Sequence, residues 1–88
     1  MGKRAWPPWW SWGLKFDTHL LKRMVDRKFT EVDLRLMLED ATGFRRGLEE
    51  GRWVVETRHH NRPWEVAIEP DFDTQVLYVI TAYEARKR

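Results

Sequence analysis

Histidine and arginine side chains recur in the first third of the chain at a spacing that suits chemistry on a phosphodiester. His19, Arg23 and Arg27 follow one another at intervals of four residues, so on a helix they form one cationic stripe. The planar arginine fork matches phosphate oxygens, and histidine can move protons near neutral pH. Cleaving RNA without a metal needs a group that takes the 2′-OH proton, cations beside phosphorus, and a donor for the leaving 5′ oxygen. The stripe predicts part of such a site.

A second group of polar residues falls in the last third of the chain, which reads as strands. Arg58, His60, Thr81 and Tyr83 share one sheet face in the register that we expect, so they and the stripe predict one site. The predicted catalytic residues are His19, Arg23, Arg58, His60 and Tyr83, and the predicted substrate-binding residues are Arg27, Arg62 and Thr81. The alternative is that these residues have structural roles. Arg58 would then serve simply as the partner of Glu65 in a cross-strand ion pair, and Tyr83 would pack at the end of a strand.

The histidines do not predict a metal site. His59 and His60 are adjacent on a predicted strand, so their side chains should point to opposite faces and cannot chelate one ion. The chain has no cysteine, and no HExxH or HxH spacing occurs. P-loop, dinucleotide-binding and nucleophile-elbow motifs do not occur either. We expect neither a metal nor a cofactor.

Residues 53–83 predict three antiparallel strands that must position the second group. The segments WVVETRHH, WEVAIE and QVLYVITAY are rich in β-branched and aromatic residues and are separated by NRP and PDFDT. A two-residue turn at Asn61-Arg62 would place Arg58 opposite Glu65 on a charged face and leave the other face apolar. The second turn is expected to place Ile68 opposite Val76.

Two helices are predicted before these strands. Asp17 is the expected N-cap of the first helix, which carries the cationic stripe. Thr30 is the expected N-cap of the second, with Asp33 at the capping-box position. Gly43 is expected to end the second helix as a C-cap.

A further strand is predicted at residues 10–16, where apolar and other residues alternate strictly. The three glycines and mixed charge of residues 43–52 predict a loop. The element order is therefore β-α-α-β-β-β. It predicts an α+β fold in which two helices pack on one face of a four-stranded, mainly antiparallel sheet.

Length and composition limit the possibilities further. Eighty-eight residues make one domain, here assigned to residues 10–84, with a Trp- and Pro-rich arm at 1–9 and a basic tail at 85–88. The arm is expected to cover the core at a sheet edge, with contact to a membrane or to nucleobases as the alternatives. Residues 1–28 carry seven Lys or Arg against two Asp, so basic charge gathers there. No apolar run is long enough to span a bilayer, and we expect a cytoplasmic protein without membrane contact.

The run HLLKRMVDRKFTEVDL, with GRWVVETRHHNRPWEV and LYVITAYE, resembles a small bacterial domain family of unknown function that is allied to the RelE, MqsR and BrnT toxins. The resemblance covers about residues 10–84. It implies a RelE-like α+β fold, cleavage of messenger RNA without a metal, and a cognate antitoxin that often carries a zinc finger. The positions that it implies are His19, Arg23, Arg58, Thr81 and Tyr83.

Three functions follow as hypotheses. The first is a metal-independent endoribonuclease that acts as the toxin of a toxin–antitoxin pair. The second is a non-catalytic protein-interaction module of the same fold. The third is an RNA-binding domain without cleavage, which the basic first third and the tryptophans favour.

Overall fold

Five strands form one mixed sheet, and two helices pack on one of its faces. The computed structural model describes residues 7–16 and 18–85. A short 3₁₀ helix at Pro8–Ser11 precedes the regular elements. These are β1 Gly13–Phe16, α1 Thr18–Arg27, α2 Glu31–Glu39, β2 Gly43–Arg46, β3 Trp53–His59, β4 Arg62–Asp71 and β5 Val76–Glu84. The sheet order is β1-β5-β4-β3-β2, with β1 parallel to β5 and the other neighbours antiparallel.

The α+β class is confirmed, whereas the predicted number of four strands is wrong. The additional strand, β2, lies in the segment predicted as a loop and places Phe44 opposite Val55 and Arg45 opposite Val54. Gly43 is buried within β2, so it does not cap the second helix. That helix ends at Glu39 instead, and its Thr30–Asp33 capping box is present as predicted.

The first strand is shorter than predicted, because the chain at Pro8–Ser11 turns into a 3₁₀ helix with proline in its first turn. Trp9, at the end of the predicted arm, is buried and lies 5.7 Å from the Trp53 ring and 6.1 Å from the Phe44 ring. This part of the arm therefore covers the core beside β2. The rest of the arm, the predicted N-cap Asp17 and residues 86–88 lie outside the described residues.

The turn between β3 and β4 lies at His60-Asn61 rather than at Asn61-Arg62. Both turn residues have positive φ, 53° and 63°, as a two-residue turn of type I′ requires. The pairing is consequently shifted by two residues, and Arg58 lies opposite Pro63. Because the shift is even, the side chains within β3 and β4 keep their predicted faces.

The pairing of β4 with β5 also differs from the prediction. Ile68 lies opposite Val79 rather than Val76, and the next pair is Ala67 with Thr81. Ile80 is therefore the extra residue of a β-bulge. Such a bulge redirects the strand, and this one lies where the candidate site is found.

The core lies between the helices and the apolar face of the sheet. Its fully buried side chains are Leu20, Leu34, Met37, Val55, Val66, Ile68, Leu77 and Val79. The opposite sheet face has no helix over it in the described residues and is called the open face below. No helix within 7–16 and 18–85 has the length and apolar character needed to cross a membrane.

Candidate functional site

A groove lies beside the part of β5 that β1 does not reach. The pairing of β1 with β5 stops at Phe16 and Val79, and the bulge follows at once. Residues of α1 and of the second half of β5 line an open space of about 540 Å³. This space, called the α1 groove, is lined by His19, Arg23, Arg27, Ile80, Thr81 and Tyr83.

The α1 groove is cationic. The predicted stripe of His19, Arg23 and Arg27 forms one wall, and none of the six lining residues is acidic. Arg27 is held in place because its Nη1 donates a 2.7 Å hydrogen bond to the backbone oxygen of Ala82. Guanidinium groups in such a place suit the oxygens of a phosphate.

Tyr83 stands at the end of this groove with its phenol anchored. Its hydroxyl donates a 2.8 Å hydrogen bond to Oε1 of Glu65, which lies directly opposite on β4. Burial raises the pKa of Tyr83 above its ordinary value, and the hydrogen bond to the Glu65 carboxylate raises it further. The phenol is therefore protonated at neutral pH, and its hydroxyl is a hydrogen-bond donor.

Glu65 and Arg45 belong to the same network, although neither was predicted as a site residue. Arg45 Nη1 donates to Glu56 at 2.7 Å, and Arg45 Nη2 lies 3.3 Å from Glu65. The hydrogen bond to Glu65 raises the pKa of Arg45, and the bond to Glu56 adds to this despite an opposing effect of burial. Arg45 also bridges two carboxylates that would otherwise repel each other across the β3–β4 pair.

A second groove of about 410 Å³ meets the first at Thr81 and Tyr83, which line both. It lies on the open face and is called the hairpin groove, because residues 45–49 and Arg52, at the end of β2 and in the β2–β3 connection, form its rim. Its other lining residues are Val54 and Ala67.

The structure does not bring three of the predicted residues into either groove. Arg58 shares the open face with Tyr83, but they lie on β3 and β5, which flank β4 at a separation of about 10 Å. Its Nη2 contacts the backbone oxygen of Asn61 at 3.3 Å. Arg62 pairs with Glu84 at 3.0 Å, and His60 lies in the turn. Arg58, His60 and Arg62 therefore sit at the tip of the β3–β4 hairpin.

The expectation that adjacent histidines point apart is wrong at the turn. His60 leaves the strand with a φ of 53°, and its ring centroid lies 4.0 Å from that of His59. His59 also packs edge-on against Trp64 at 5.2 Å. Burial lowers the pKa of His59, and the neighbouring His60 lowers it further. Across residues 7–16 and 18–85, no group of three or more His, Asp or Glu side chains is arranged to hold a metal ion.

Comparison of the chain with protein-family models, with curated proteins and with solved structures finds no match in any of the three. The candidate site is accordingly defined by its own geometry: a cationic groove with an anchored phenol, continuous with a second groove on the open face.

Proposed function

We propose that this chain is a toxin-like endoribonuclease that cleaves RNA without a metal ion at the α1 groove. The observation that carries the proposal is that His19, Arg23, Arg27, Thr81 and Tyr83 line one groove without an acidic residue among the lining. These five were proposed from sequence for RNA chemistry. The proposal does not rest on the three residues at the hairpin tip.

The groups of the α1 groove can perform each step of an internal transesterification. Neutral His19 accepts the proton of the 2′-OH, whose oxygen attacks phosphorus and forms a 2′,3′-cyclic phosphate. Arg23 and Arg27 stabilise the negative charge that builds up on the phosphorus oxygens. Tyr83 turns its hydroxyl from Glu65 to the leaving 5′ oxygen and transfers its proton as that oxygen separates from phosphorus. The His19 imidazolium then returns its proton to the phenolate through water.

A toxin of this kind works with a partner that restrains it. The proposal therefore includes a cognate antitoxin protein, as the resemblance to the RelE, MqsR and BrnT group implies, including an antitoxin that carries a zinc finger. The adjoining gene would encode it, so the product of that gene is the first partner to co-express.

The experiment incubates the purified protein with a labelled RNA and with the DNA of the same sequence, both in excess EDTA. We expect cleavage of RNA alone, with 2′,3′-cyclic phosphate ends, because DNA lacks the attacking hydroxyl. His19→Ala and Arg23→Ala should each lower the rate about 100-fold or more. Arg35→Ala is the matched control, since Arg35 is exposed on α2 and pairs with Glu31 outside both grooves.

Intact RNA after incubation with a protein shown to be folded would contradict the proposal. If that protein still bound RNA, the third hypothesis, binding without cleavage, would replace it. Cleavage that the His19→Ala variant retains would place the reaction elsewhere in the molecule.

A protein-interaction module is the second candidate, and apolar side chains exposed on the helices favour it. Leu21 and Val25 are 49% and 77% exposed one turn apart on α1, and Val32 and Leu36 are 65% and 52% exposed one turn apart on α2. This candidate predicts a stable complex with a partner that Leu21→Glu disrupts. The same complex should tolerate Arg23→Ala, which separates this function from RNA cleavage.

A further inference from the structure

The hairpin groove is large enough to hold a small organic group of its own. Its volume of about 410 Å³ falls within the range of ligand-binding pockets, about 300–1,000 Å³. Because Thr81 and Tyr83 line both grooves, a ligand whose charged end lies in the α1 groove extends into it without leaving the protein surface.

The floor of the hairpin groove consists of short, mainly apolar side chains. Thr81, Ala67 and Val54 are direct neighbours across β5, β4 and β3, so they form a row at right angles to the strands. All three are small, and Ala67 and Val54 are only 6% and 9% exposed. Flanking this row are the longer side chains of Tyr83 and Glu65. The floor spans two strand spacings, about 10 Å, which is enough for a planar ring.

The rim of the hairpin groove differs from the α1 groove in its charge balance. Arg45 is paired with two carboxylates, at 2.7 and 3.3 Å. Arg52 lies 3.4 Å from both Glu49 and Glu69. A phosphate would meet carboxylates here as well as guanidinium groups, whereas a neutral ring can use both, since carboxylates accept hydrogen bonds and guanidinium groups donate them.

We propose that the hairpin groove is a nucleobase-binding subsite for the base next to the phosphate held in the α1 groove. The inference rests on the proposed function for the identity of the ligand. The row Thr81, Ala67 and Val54 lies under the ring, while Arg45 and Glu49, which line the same groove, offer a donor and an acceptor to its hydrogen-bonding edge. Such a subsite would make cleavage depend on the base beside the scissile bond, because a base that cannot satisfy these groups leaves them unpaired.

Free nucleosides test the subsite directly, because they are uncharged and cannot bind through a phosphate. The four common ribonucleosides are titrated into the ¹⁵N-labelled protein, and amide NMR shifts are followed. We expect at least one nucleoside to move the signals of Val54, Ala67 and Thr81 saturably. Inorganic phosphate should instead move the signals of His19 and Arg23.

Two variants should separate nucleoside binding from phosphate binding. Ala67→Leu fills the floor and should weaken nucleoside binding about tenfold or more while phosphate binding persists. Arg23→Ala should weaken phosphate binding and leave nucleoside binding as it was. Arg45→Met is a further variant, which changes the exposed rim and leaves the floor intact. It should weaken nucleoside binding, and it tests the subsite even if Ala67→Leu fails to fold.

The outcomes separate this inference from the proposed function. If no nucleoside shifts the floor signals while RNA is cleaved, the subsite is overturned and the nuclease stands. If nucleosides bind at the floor and RNA stays intact, the subsite stands and the nuclease falls. Nucleoside binding that neither Ala67→Leu nor Arg45→Met weakens would also overturn the subsite.

Discussion

Tyr83 and Glu65 lie directly opposite each other on β5 and β4, and the tyrosine hydroxyl donates a 2.8 Å hydrogen bond to the carboxylate. The bond fixes the phenol at the point where the two grooves meet. A phenol held against a carboxylate resists ionisation, because the phenolate would face a second negative charge.

The first prediction concerns the pKa of Tyr83, which should fall when Glu65 is made neutral. The chain has two tyrosines, so the Tyr78→Phe background leaves Tyr83 alone. In that background, Glu65→Gln should lower the pKa of Tyr83 partway toward its ordinary value of about 10. The decrease is partial because burial, the larger cause of the shift, remains. Absorbance of tyrosinate against pH measures it, with Glu69→Gln as the control, and an unchanged titration would contradict the assigned hydrogen bond.

The second prediction concerns the salt dependence of RNA binding. A guanidinium that contacts a phosphate releases counterions on binding, so Arg23→Ala should reduce the slope of log affinity against log salt by about 1. Arg27→Ala should do the same. Arg35→Ala should not, because Arg35 pairs with Glu31 away from the groove. Equal slopes for all three variants and the parent would show that RNA does not reach the α1 groove.

The third prediction concerns a buried hydrogen bond between sheet and helix. The Thr57 hydroxyl donates to the backbone oxygen of Met37, one of the last four carbonyls of α2 and therefore without a helical donor. Thr57→Val keeps the shape but removes the donor, so it should lower the free energy of unfolding by about 1–2 kcal/mol. Thr42→Val, which alters an exposed 3.3 Å bond to Glu56, should cost much less. Urea unfolding of the two variants makes the comparison, and equal losses would refute the buried bond.

The fourth prediction concerns stability in mild acid. Burial and His60 lower the pKa of His59 in the folded protein, while Asp33 opposes this more weakly. The histidine pKa of the unfolded chain is about 6.5. At pH values between about 6.5 and the folded pKa, the unfolded chain therefore binds more protons than the folded protein does. The unfolding free energy should fall as pH drops through this interval and level off below it. His59→Phe keeps a ring against Trp64 and should flatten the profile, whereas Thr42→Val, which removes no titratable group, should not. Profiles of the parent and His59→Phe that superimpose would contradict the assignment.

Local signals in the sequence were sufficient for the helices and for the faces of β3 and β4. The capping box at Thr30 and Asp33 is contained in a few residues, so it could be recognised and is present. The faces of β3 and β4 were also predicted correctly, even though their register is shifted by two residues. The first half of β5 was not, because the predicted pairing of Ile68 with Val76 puts Leu77 and Val79 on the charged face, and both are buried in the core. The better signal for that turn was Asn61 itself, because asparagine tolerates the positive φ of a type I′ turn and Arg62 does not favour it.

Features that depend on distant pairing could not be predicted in the same way. The segment GFRR of β2 begins with a glycine and is followed by another, so its strand pattern is weak. It forms a strand because β3 offers it hydrogen bonds. Arg45 was missed with them, and so was the network that holds Tyr83. The bulge at Ile80 is equally hidden, because VLYVITAY reads as one continuous strand.

The parallel pairing of β1 with β5 has a consequence for how the protein folds during its synthesis. It joins strands from opposite ends of the sequence, and contacts of this kind form slowly because a long loop must close first. During synthesis, the nascent chain can order α1 early but must wait for β5 before the second wall of the α1 groove exists. An activity that resides in that groove would therefore stay silent until translation has passed Tyr83.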